Sequence, residues 1–167
     1  GYVKIAEGCD HRCAYCVIPM LRGVYRSRPK EDIVFEVKER VKAGLREAVL
    51  IAQDTGCYGK DLKPRETLAS LLRALCEIED LRWIRIMYCY PEEVTQDLLE
   101  AMQHEKVCAY IDMPIQHVSD SVLLAMGRPL SSAKLKEKIQ MIRQALPEVF
   151  IRTTLMVGFP GETQENF

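Results

Sequence analysis

The order of its predicted elements constrains this chain most, because short β-branched runs alternate with amphipathic helical segments. Five apolar runs predict strands, over residues 2–6, 47–52, 82–88, 108–115 and 149–157. A helical period predicts helices over residues 29–44, 66–78, 95–103 and 119–126, and from about residue 132. Parallel neighbours need crossover connections, so these repeated units predict an α/β fold with a parallel sheet covered by helices. Periodicity alone leaves open whether the sheet is part of a barrel or an open sheet.

The composition is that of a globular protein. The chain has 167 residues, of which 48% are hydrophobic and 28% charged, and its net charge is −1. This balance gives no reason to expect a nucleic acid or a membrane as partner, and neither a membrane span nor a signal peptide is visible. The chain begins with Gly1, and its last residues resemble the start of a helix. We therefore expect a piece of a longer protein.

Five polar or glycine-rich loops follow the predicted strands. They are the segment EGCDHRCAYCVIP after the first strand, then QDTGCYG, YCYPEE, PIQH and GFPGET. In sheets and barrels of this kind, ligand-binding groups collect beyond the carboxyl ends of the strands. The five loops are therefore expected to form one site.

Three of the seven cysteines are crowded into the first loop. Cys9, Cys13 and Cys16 are separated by three and then two residues, without a fourth cysteine nearby. Coincidence, a zinc site with His11 or a remote residue as fourth ligand, and an iron–sulfur cluster are the three interpretations. Three thiolates on a cluster of four irons leave one iron open for another ligand. The scattered Cys57, Cys76, Cys89 and Cys108 fit core positions in a protein of a reducing cytosol.

The cysteine spacing resembles that of the radical S-adenosylmethionine (SAM) superfamily, in which an aromatic residue, here Tyr15, precedes the third cysteine. The resemblance implies a partial (β/α)6 barrel, here truncated after the fifth strand. It also implies a [4Fe–4S] cluster on Cys9, Cys13 and Cys16, and SAM chelating the open iron. Reductive cleavage of SAM then yields a 5′-deoxyadenosyl radical.

Longer phrases resemble the methylthiotransferases within that superfamily, over residues 1–167. QDT followed by YG, together with PIQH, is most similar to the RimO type, which modifies the β-carbon of an aspartate in ribosomal protein S twelve. The alternatives are the MiaB type, which modifies an adenosine in tRNA, and a non-enzymatic zinc-binding module. The near-zero charge does not favour RNA. The sequence itself does not decide the substrate.

The resemblance also implies the residues that bind SAM, namely Tyr15, Gln53, Gln116, Arg128, Val157 and Gly158. Gln53 stands where the superfamily commonly has the glutamate of a Gly-Gly-Glu motif, so a neutral amide replaces a carboxylate. Each position has a plainer interpretation: a loop anchor for Tyr15, a solvated helix-end charge for Arg128, and a simple turn for Val157 and Gly158. Three further residues are candidates for the substrate side, namely Asp54, His117 and Arg152.

The resemblance implies further domains and partners. The family carries a second [4Fe–4S] cluster on an N-terminal domain and an RNA-binding-type β-barrel, called TRAM, at the C-terminus. Neither lies in residues 1–167, which we therefore interpret as the radical SAM core domain. The partners implied are ribosomal protein S twelve, with tRNA as the alternative, and an electron donor such as flavodoxin or ferredoxin.

Overall fold

A computed structural model describes residues 1–167. Its strands are β1 (Tyr2–Lys4), β2 (Ala6–Glu7), β3 (Arg26–Ser27), β4 (Glu47–Ile51), β5 (Trp83–Ile86), β6 (Val107–Asp112) and β7 (Phe150–Arg152). Its α-helices are α1 (Ile18–Arg22), α2 (Lys30–Lys42), α3 (Leu68–Cys76), α4 (Gln96–Met102), α5 (Asp120–Ala125) and α6 (Ser132–Ala145). None of these helices has the length and apolar character needed to cross a membrane.

The main sheet contains five parallel strands in the order β1-β4-β5-β6-β7. Each new strand is added on the same side as the one before it, so the order never reverses. A doubly wound sheet reverses at a switch point, whereas a barrel is wound in one direction. The strand order therefore answers the question that periodicity left open, in favour of a barrel. Because β1 and β7 do not pair with each other, the barrel is partial, which confirms the predicted fold.

The two faces of the sheet differ in burial. Val3, Leu50 and Ile84 lie on the face that packs against the helices, and each is fully buried. Residues that alternate with them, such as Lys4 and Trp83, are exposed on the opposite face. Successive side chains on a strand point to opposite faces, so the core lies between sheet and helices, and the opposite face stays open.

Three predicted elements differ from those observed. The strand predicted over 2–6 divides at Ile5, whose N–H donates to Ile51 O at 3.0 Å while its carbonyl accepts from Arg28 N at 2.9 Å. Its last part, β2, pairs instead with β3 in an antiparallel ribbon. The strand predicted over 149–157 covers only β7, followed by an isolated bridge further on. The expected helix after the GFPGET loop is a series of turns over residues 160–166.

The helix starts agree with local capping rules. Thr67 accepts from Ser70 N and Ser70 accepts in return from Thr67 N, which forms a capping box at the start of α3. Thr95 accepts from Leu98 N at 3.2 Å and is the N-cap of α4. These caps satisfy backbone donors that the first turn of a helix cannot pair internally.

Leu71 on α3 provides a test of the core. The side chain is fully buried against the sheet, so Leu71→Ala is expected to lower the free energy of unfolding by about 2–5 kcal/mol. Leu124→Ala on α5 is the matched control, because that leucine is 79% exposed; we expect a change within about 0.5 kcal/mol. Urea unfolding measures both, and equal losses would contradict the assignment of Leu71 to the core.

Candidate metal centre

The cysteine loop, residues 8–25, is closed at its base by the β2–β3 ribbon. Gly8 has φ +83°, and a Cβ there would lie 2.2 Å from Val24 O, so the chain requires glycine where the two sides of the loop meet. Cys9 N donates to Gly23 O at 3.1 Å, and Tyr25 N donates to the Asp10 carboxylate at 3.0 Å. The loop therefore leaves the carboxyl end of β1 with its base fixed.

A second anchor connects the loop to the end of α5. Ala14 N donates to Met126 O at 3.0 Å. Gly127 packs so closely against the loop that an added Cβ would lie 2.8 Å from Arg12 O. The segment between the first and third cysteines is therefore held against the body of the fold.

The three cysteines of this loop are free thiols. Cys9 and Cys13 are 6% and 7% exposed, whereas Cys16 is half-buried. Burial raises the pKa of Cys9, and the nearby Asp54, Cys13 and Cys16 raise it further. Metal binding needs thiolates, so a metal must displace the proton of Cys9 here. A cationic metal centre beside Cys9 would offset the cost of its buried thiolate.

The geometry separates the zinc interpretation from the cluster interpretation. A tetrahedral site with Zn–S bonds of about 2.3 Å brings its sulfurs within about 4 Å of one another. The single His/Cys/Asp/Glu group whose ligand atoms all lie within 4.8 Å consists of His11, Asp54 and Cys57, and it contains none of the three loop cysteines. The three loop sulfurs are therefore not all within 4.8 Å of one another, as ligands of one zinc ion would be, and His11 Nε2 faces Asp54 instead. Each thiolate can instead serve a different iron of a cluster.

Asp54 is a buried hub of hydrogen bonds beneath the cysteine loop. Its carboxylate has no exposed surface and faces His11 Nε2 at 2.8 Å. It also accepts from Cys57 Sγ at 3.2 Å, Gly56 N at 3.0 Å and Tyr90 N at 3.4 Å. The hydrogen bond to Asp54 raises the pKa of His11 against the opposing effect of burial. Asp54 therefore connects the cysteine loop to the ends of β4 and β5.

A cavity of about 440 Å³ opens beside the loop at the carboxyl ends of β1, β4 and β5. Gln53, Met87 and Tyr88 line it, together with Ala6 from the base of the loop. The Gln53 Oε1 atom is buried and has no hydrogen-bond partner. A buried acceptor without a partner costs about 1–3 kcal/mol, and Gln53 also lines the cavity, so this residue is a candidate to accept a hydrogen bond from a ligand.

Gln116 lies after β6 with a strained backbone. Its φ is +70°, which is unusual for a residue with a side chain. Gln116 N donates to Thr154 O at 2.9 Å, and its carbonyl accepts from Met156 N at 2.7 Å. These bonds maintain a conformation that costs about 1–3 kcal/mol and is typical of functional sites.

The turn after β7 holds Val157 and Gly158 at the surface. Gly158 N donates to Glu162 Oε2 at 2.7 Å, and Phe159 N donates to the same atom at 3.0 Å. The other oxygen of Glu162 lies 3.4 Å from His117 Nε2, and His117 Nδ1 accepts from Ser119 N at 2.9 Å. His117 is thus buried with both ring nitrogens engaged.

Tyr15 and Arg152 occupy opposite kinds of environment. The Tyr15 hydroxyl is buried without a hydrogen-bond partner, and its ring meets Phe159 edge-on at 6.4 Å. Burial raises the pKa of Tyr15 to about 12. Arg152 is exposed on β7 and binds Asp112 at 3.0 Å. Tyr15 therefore belongs to the cysteine loop, whereas Arg152 lies on the open sheet.

Arg128 extends from the end of α5 to the cysteine loop and is 7% exposed. Its Nη2 donates to Pro114 O at 2.8 Å, and its Nη1 lies 3.9 Å from Cys13 Sγ. Its Cζ lies 4.2 Å from the centre of the Tyr90 ring. Arg128 is thus a buried, partnered group and not a solvated charge. A guanidinium has more N–H donors than these contacts use, so donors remain for the predicted interaction with SAM.

The sequence prediction missed Tyr90 and Glu92. Tyr90 lies between the ring of His11, at 4.4 Å, and Arg128, and its hydroxyl is 4.0 Å from Cys13 Sγ. Glu92 Oε1 is buried without a partner. Both belong to the YCYPEE loop, which was predicted to join the site although no residue of it was singled out.

Of the scattered cysteines, Cys76 and Cys89 are buried in the core as predicted, whereas Cys57 and Cys108 are only partly buried.

Comparison with known protein families shows which superfamily uses this arrangement. The sequence model of the radical SAM superfamily matches residues 3–167. This chain belongs to the radical SAM superfamily. Membership implies a [4Fe–4S] cluster and SAM as cofactors, for which the buried thiols and the unpartnered Gln53 oxygen are suited.

The names of individual curated relatives are more specific than the name of the superfamily. The chain is 52% identical to the ribosomal protein uS12 methylthiotransferase RimO of Clostridium acetobutylicum, covering 100% of this chain and 38% of the relative. It is also 52% identical to the protein of the same name from Heliobacterium modesticaldum, covering 100% of this chain and 36% of the relative. The chain therefore spans less than two fifths of the length of these relatives.

Solved structures support the fold alone. The radical SAM methyltransferase TsrM of Kitasatospora setae, solved with cobalamin and a [4Fe–4S] cluster, superposes with a TM-score of 0.77 at 16% identity, covering 99% of this chain and 32% of TsrM. The cobalamin-dependent radical SAM enzyme OxsB gives a TM-score of 0.70 at 13% identity, covering 93% of this chain and 23% of OxsB. Both agree with the partial barrel described above.

Proposed function

We propose that this chain is the radical SAM core of an enzyme that methylthiolates the β-carbon of an aspartate in ribosomal protein uS12. The observation that carries the proposal is that proteins named for this activity are 52% identical to this chain over all of its length. The chain spans about 38% of those relatives. The complete activity is therefore proposed for a longer protein that contains residues 1–167.

We assign Cys9, Cys13 and Cys16 as the three protein ligands of a [4Fe–4S] cluster. When bound, this cluster would supply the electron for reductive cleavage of SAM. The loop holds the Cys9 and Cys13 thiols in a buried position, whereas Cys16 is half-buried. Burial and hydrogen bonding are the means by which a protein adjusts the potential of such a cluster.

We assign the contacts with SAM to residues around the adjacent cavity. The free Oε1 of Gln53 would accept a hydrogen bond from the SAM amine. Arg128 would face its carboxylate with the N–H groups not bonded to Pro114 and Cys13. Val157 and Gly158 would offer backbone groups to the adenine, Tyr15 would pack near it, and Gln116 would contact the ribose.

The substrate-side candidates are supported unequally. Arg152 is exposed on the open face of the sheet, where a substrate can reach it. His117 is buried with both nitrogens engaged, and Asp54 is enclosed by four donors. Of the three, Arg152 therefore fits a direct contact with substrate best.

The longer protein is proposed to carry the other parts of the reaction. An N-terminal domain would hold a second [4Fe–4S] cluster, and a C-terminal TRAM domain would contact the substrate. The reducing electron would come from a flavodoxin or ferredoxin. A ribosomal protein substrate and free thiols are compatible with the cytoplasm.

The test compares two substrates. Full-length protein is reconstituted anaerobically with iron and sulfide, then incubated with dithionite, SAM and either uS12 or tRNA. Mass spectrometry is expected to detect a methylthio group on an aspartate of uS12 and none on tRNA. Methylthiolated tRNA without modified uS12 would assign the chain to the tRNA-modifying type instead.

Gln53→Leu tests the assignment of the SAM amine. Leucine preserves the volume and removes the acceptor, so the dissociation constant for SAM is expected to rise about 10- to 100-fold, equivalent to about 1.4–2.7 kcal/mol. Gln96→Leu is the control, because Gln96 is exposed on α4. Equilibrium dialysis with reconstituted protein measures both, and unchanged SAM binding in Gln53→Leu would remove this residue from the site.

A further inference from the structure

The side chains of Tyr90 and Arg128 both approach Cys13, a contact that the proposed function does not require. The Tyr90 hydroxyl lies 4.0 Å from Cys13 Sγ, and Arg128 Nη1 lies 3.9 Å from it. A protein sulfur accepts hydrogen bonds at longer distances than an oxygen does. A cluster-bound Cys13 thiolate can only accept, so it would have two side-chain donors at its sulfur, one of them charged.

The position of both donors is fixed by packing. Arg128 lies over the Tyr90 ring at 4.2 Å, and its second nitrogen is bonded to Pro114 O at 2.8 Å. The ring of His11 packs against Tyr90 at 4.4 Å. Tyr90 and Arg128 are thus each packed against a neighbour in the position in which they face Cys13.

Asp54 holds His11 and Tyr90 in position beside Cys13. Its carboxylate faces His11 Nε2 at 2.8 Å and accepts from Tyr90 N at 3.4 Å. It is fully buried, so it cannot contact a substrate without rearrangement. A positioning role for Asp54 explains why a carboxylate is buried at this point.

Reduction adds one negative charge to an iron–sulfur cluster. Hydrogen bonds and positive charge at a ligating sulfur stabilise that charge and raise the reduction potential. In a buried site the effect is larger, because the local dielectric constant is lower than that of water. Donors at Cys13 are therefore expected to make the cluster easier to reduce.

We propose that Tyr90 and Arg128 set the reduction potential of the cluster through Cys13, with His11 and Asp54 as positioning residues. This inference rests on the proposed function, in that it requires a cluster on the three cysteines. It assigns to Tyr90 a role that the sequence pattern did not indicate. It also gives Arg128 a second role besides its predicted contact with SAM.

Tyr90→Phe tests the inference because it removes the hydroxyl and retains the ring. The chain offers a matched control, Tyr110→Phe, since Tyr110 also lies under an arginine, Arg85, at 5.2 Å but on the strand β6. Full-length holoprotein is titrated anaerobically, and the reduced cluster is measured by electron paramagnetic resonance. At a fixed potential we expect Tyr90→Phe to lower the ratio of reduced to oxidised cluster about tenfold, a shift of about 59 mV for one electron.

Arg128→Gln provides an independent second variant, with Arg85→Gln as its control. It removes the charge, and we expect a shift in the same direction as in Tyr90→Phe. Full iron content with an unchanged potential in both variants would overturn the inference and leave the proposed function intact. Failure of Tyr90→Phe to take up iron would also overturn it, because Tyr90 would then act in assembly. A wild-type protein without iron would overturn the proposed function itself.

Discussion

Cys13→Ala is expected to reduce the iron and sulfide content of the reconstituted protein to background. Two thiolates cannot hold a four-iron cluster stably, and Cys13 is the middle ligand of a loop fixed at both ends. The loop itself should persist, because its backbone bonds to Gly23 and Met126 do not involve the thiol. Loss of the cluster should therefore occur without loss of the fold.

Cys76→Ala is the control for that experiment. Cys76 is buried in the core at the end of α3, away from the loop, so its replacement should cost stability but leave the iron content unchanged. Iron and sulfide are measured chemically, and the visible absorption of the cluster is recorded beside circular dichroism. Equal iron in Cys13→Ala and wild type would contradict the ligand assignment.

Asp54→Ala is expected to be the most destabilising single change at the site. Four donors would lose their acceptor, and those on Gly56 and Tyr90 are backbone N–H groups that cannot turn elsewhere. The free energy of unfolding should fall by about 2–4 kcal/mol. Asp54→Asn keeps one acceptor oxygen and should lose about half as much.

Asp97→Ala is the control for Asp54→Ala, because it removes a carboxylate that is not buried. Asp97 pairs with Arg73, and both side chains are about half exposed, at 52% and 51%. Exposed ion pairs contribute about 0–1 kcal/mol, so the unfolding midpoint in urea should hardly move. Similar midpoints for Asp54→Ala and Asp97→Ala would contradict the description of Asp54 as a buried hub.

Local patterns predicted most of the fold. Alternating strands and helices follow from hydrophobic periodicity, and the helix predicted from residue 95 begins with a threonine, which is a common N-cap. The break at Ile5 could not be predicted, because it depends on pairing with Ile51 and Arg28, which are distant in the sequence. The barrel topology likewise required the strand order.

The candidate site, like the fold, could be predicted from the sequence only in part. The cysteine triplet is visible because its three members are close in sequence, and it resembles a known motif. His11 and Asp54, which are in contact, lie 43 residues apart in the sequence, and Arg128 and Cys13 lie 115 residues apart. Such pairs depend on how the loops pack at the end of the sheet. No spacing rule for a single sequence can reveal them.

The central claim is that three thiolates hold a cluster whose remaining iron binds SAM. Electron–nuclear double resonance tests it most directly, on the reduced protein mixed with SAM that carries a heavy nitrogen isotope at its amino group. The account predicts a coupling between that nitrogen and the cluster spin, which is lost in Cys13→Ala together with the cluster. A fully loaded wild-type cluster that shows no coupling to the labelled nitrogen would contradict it.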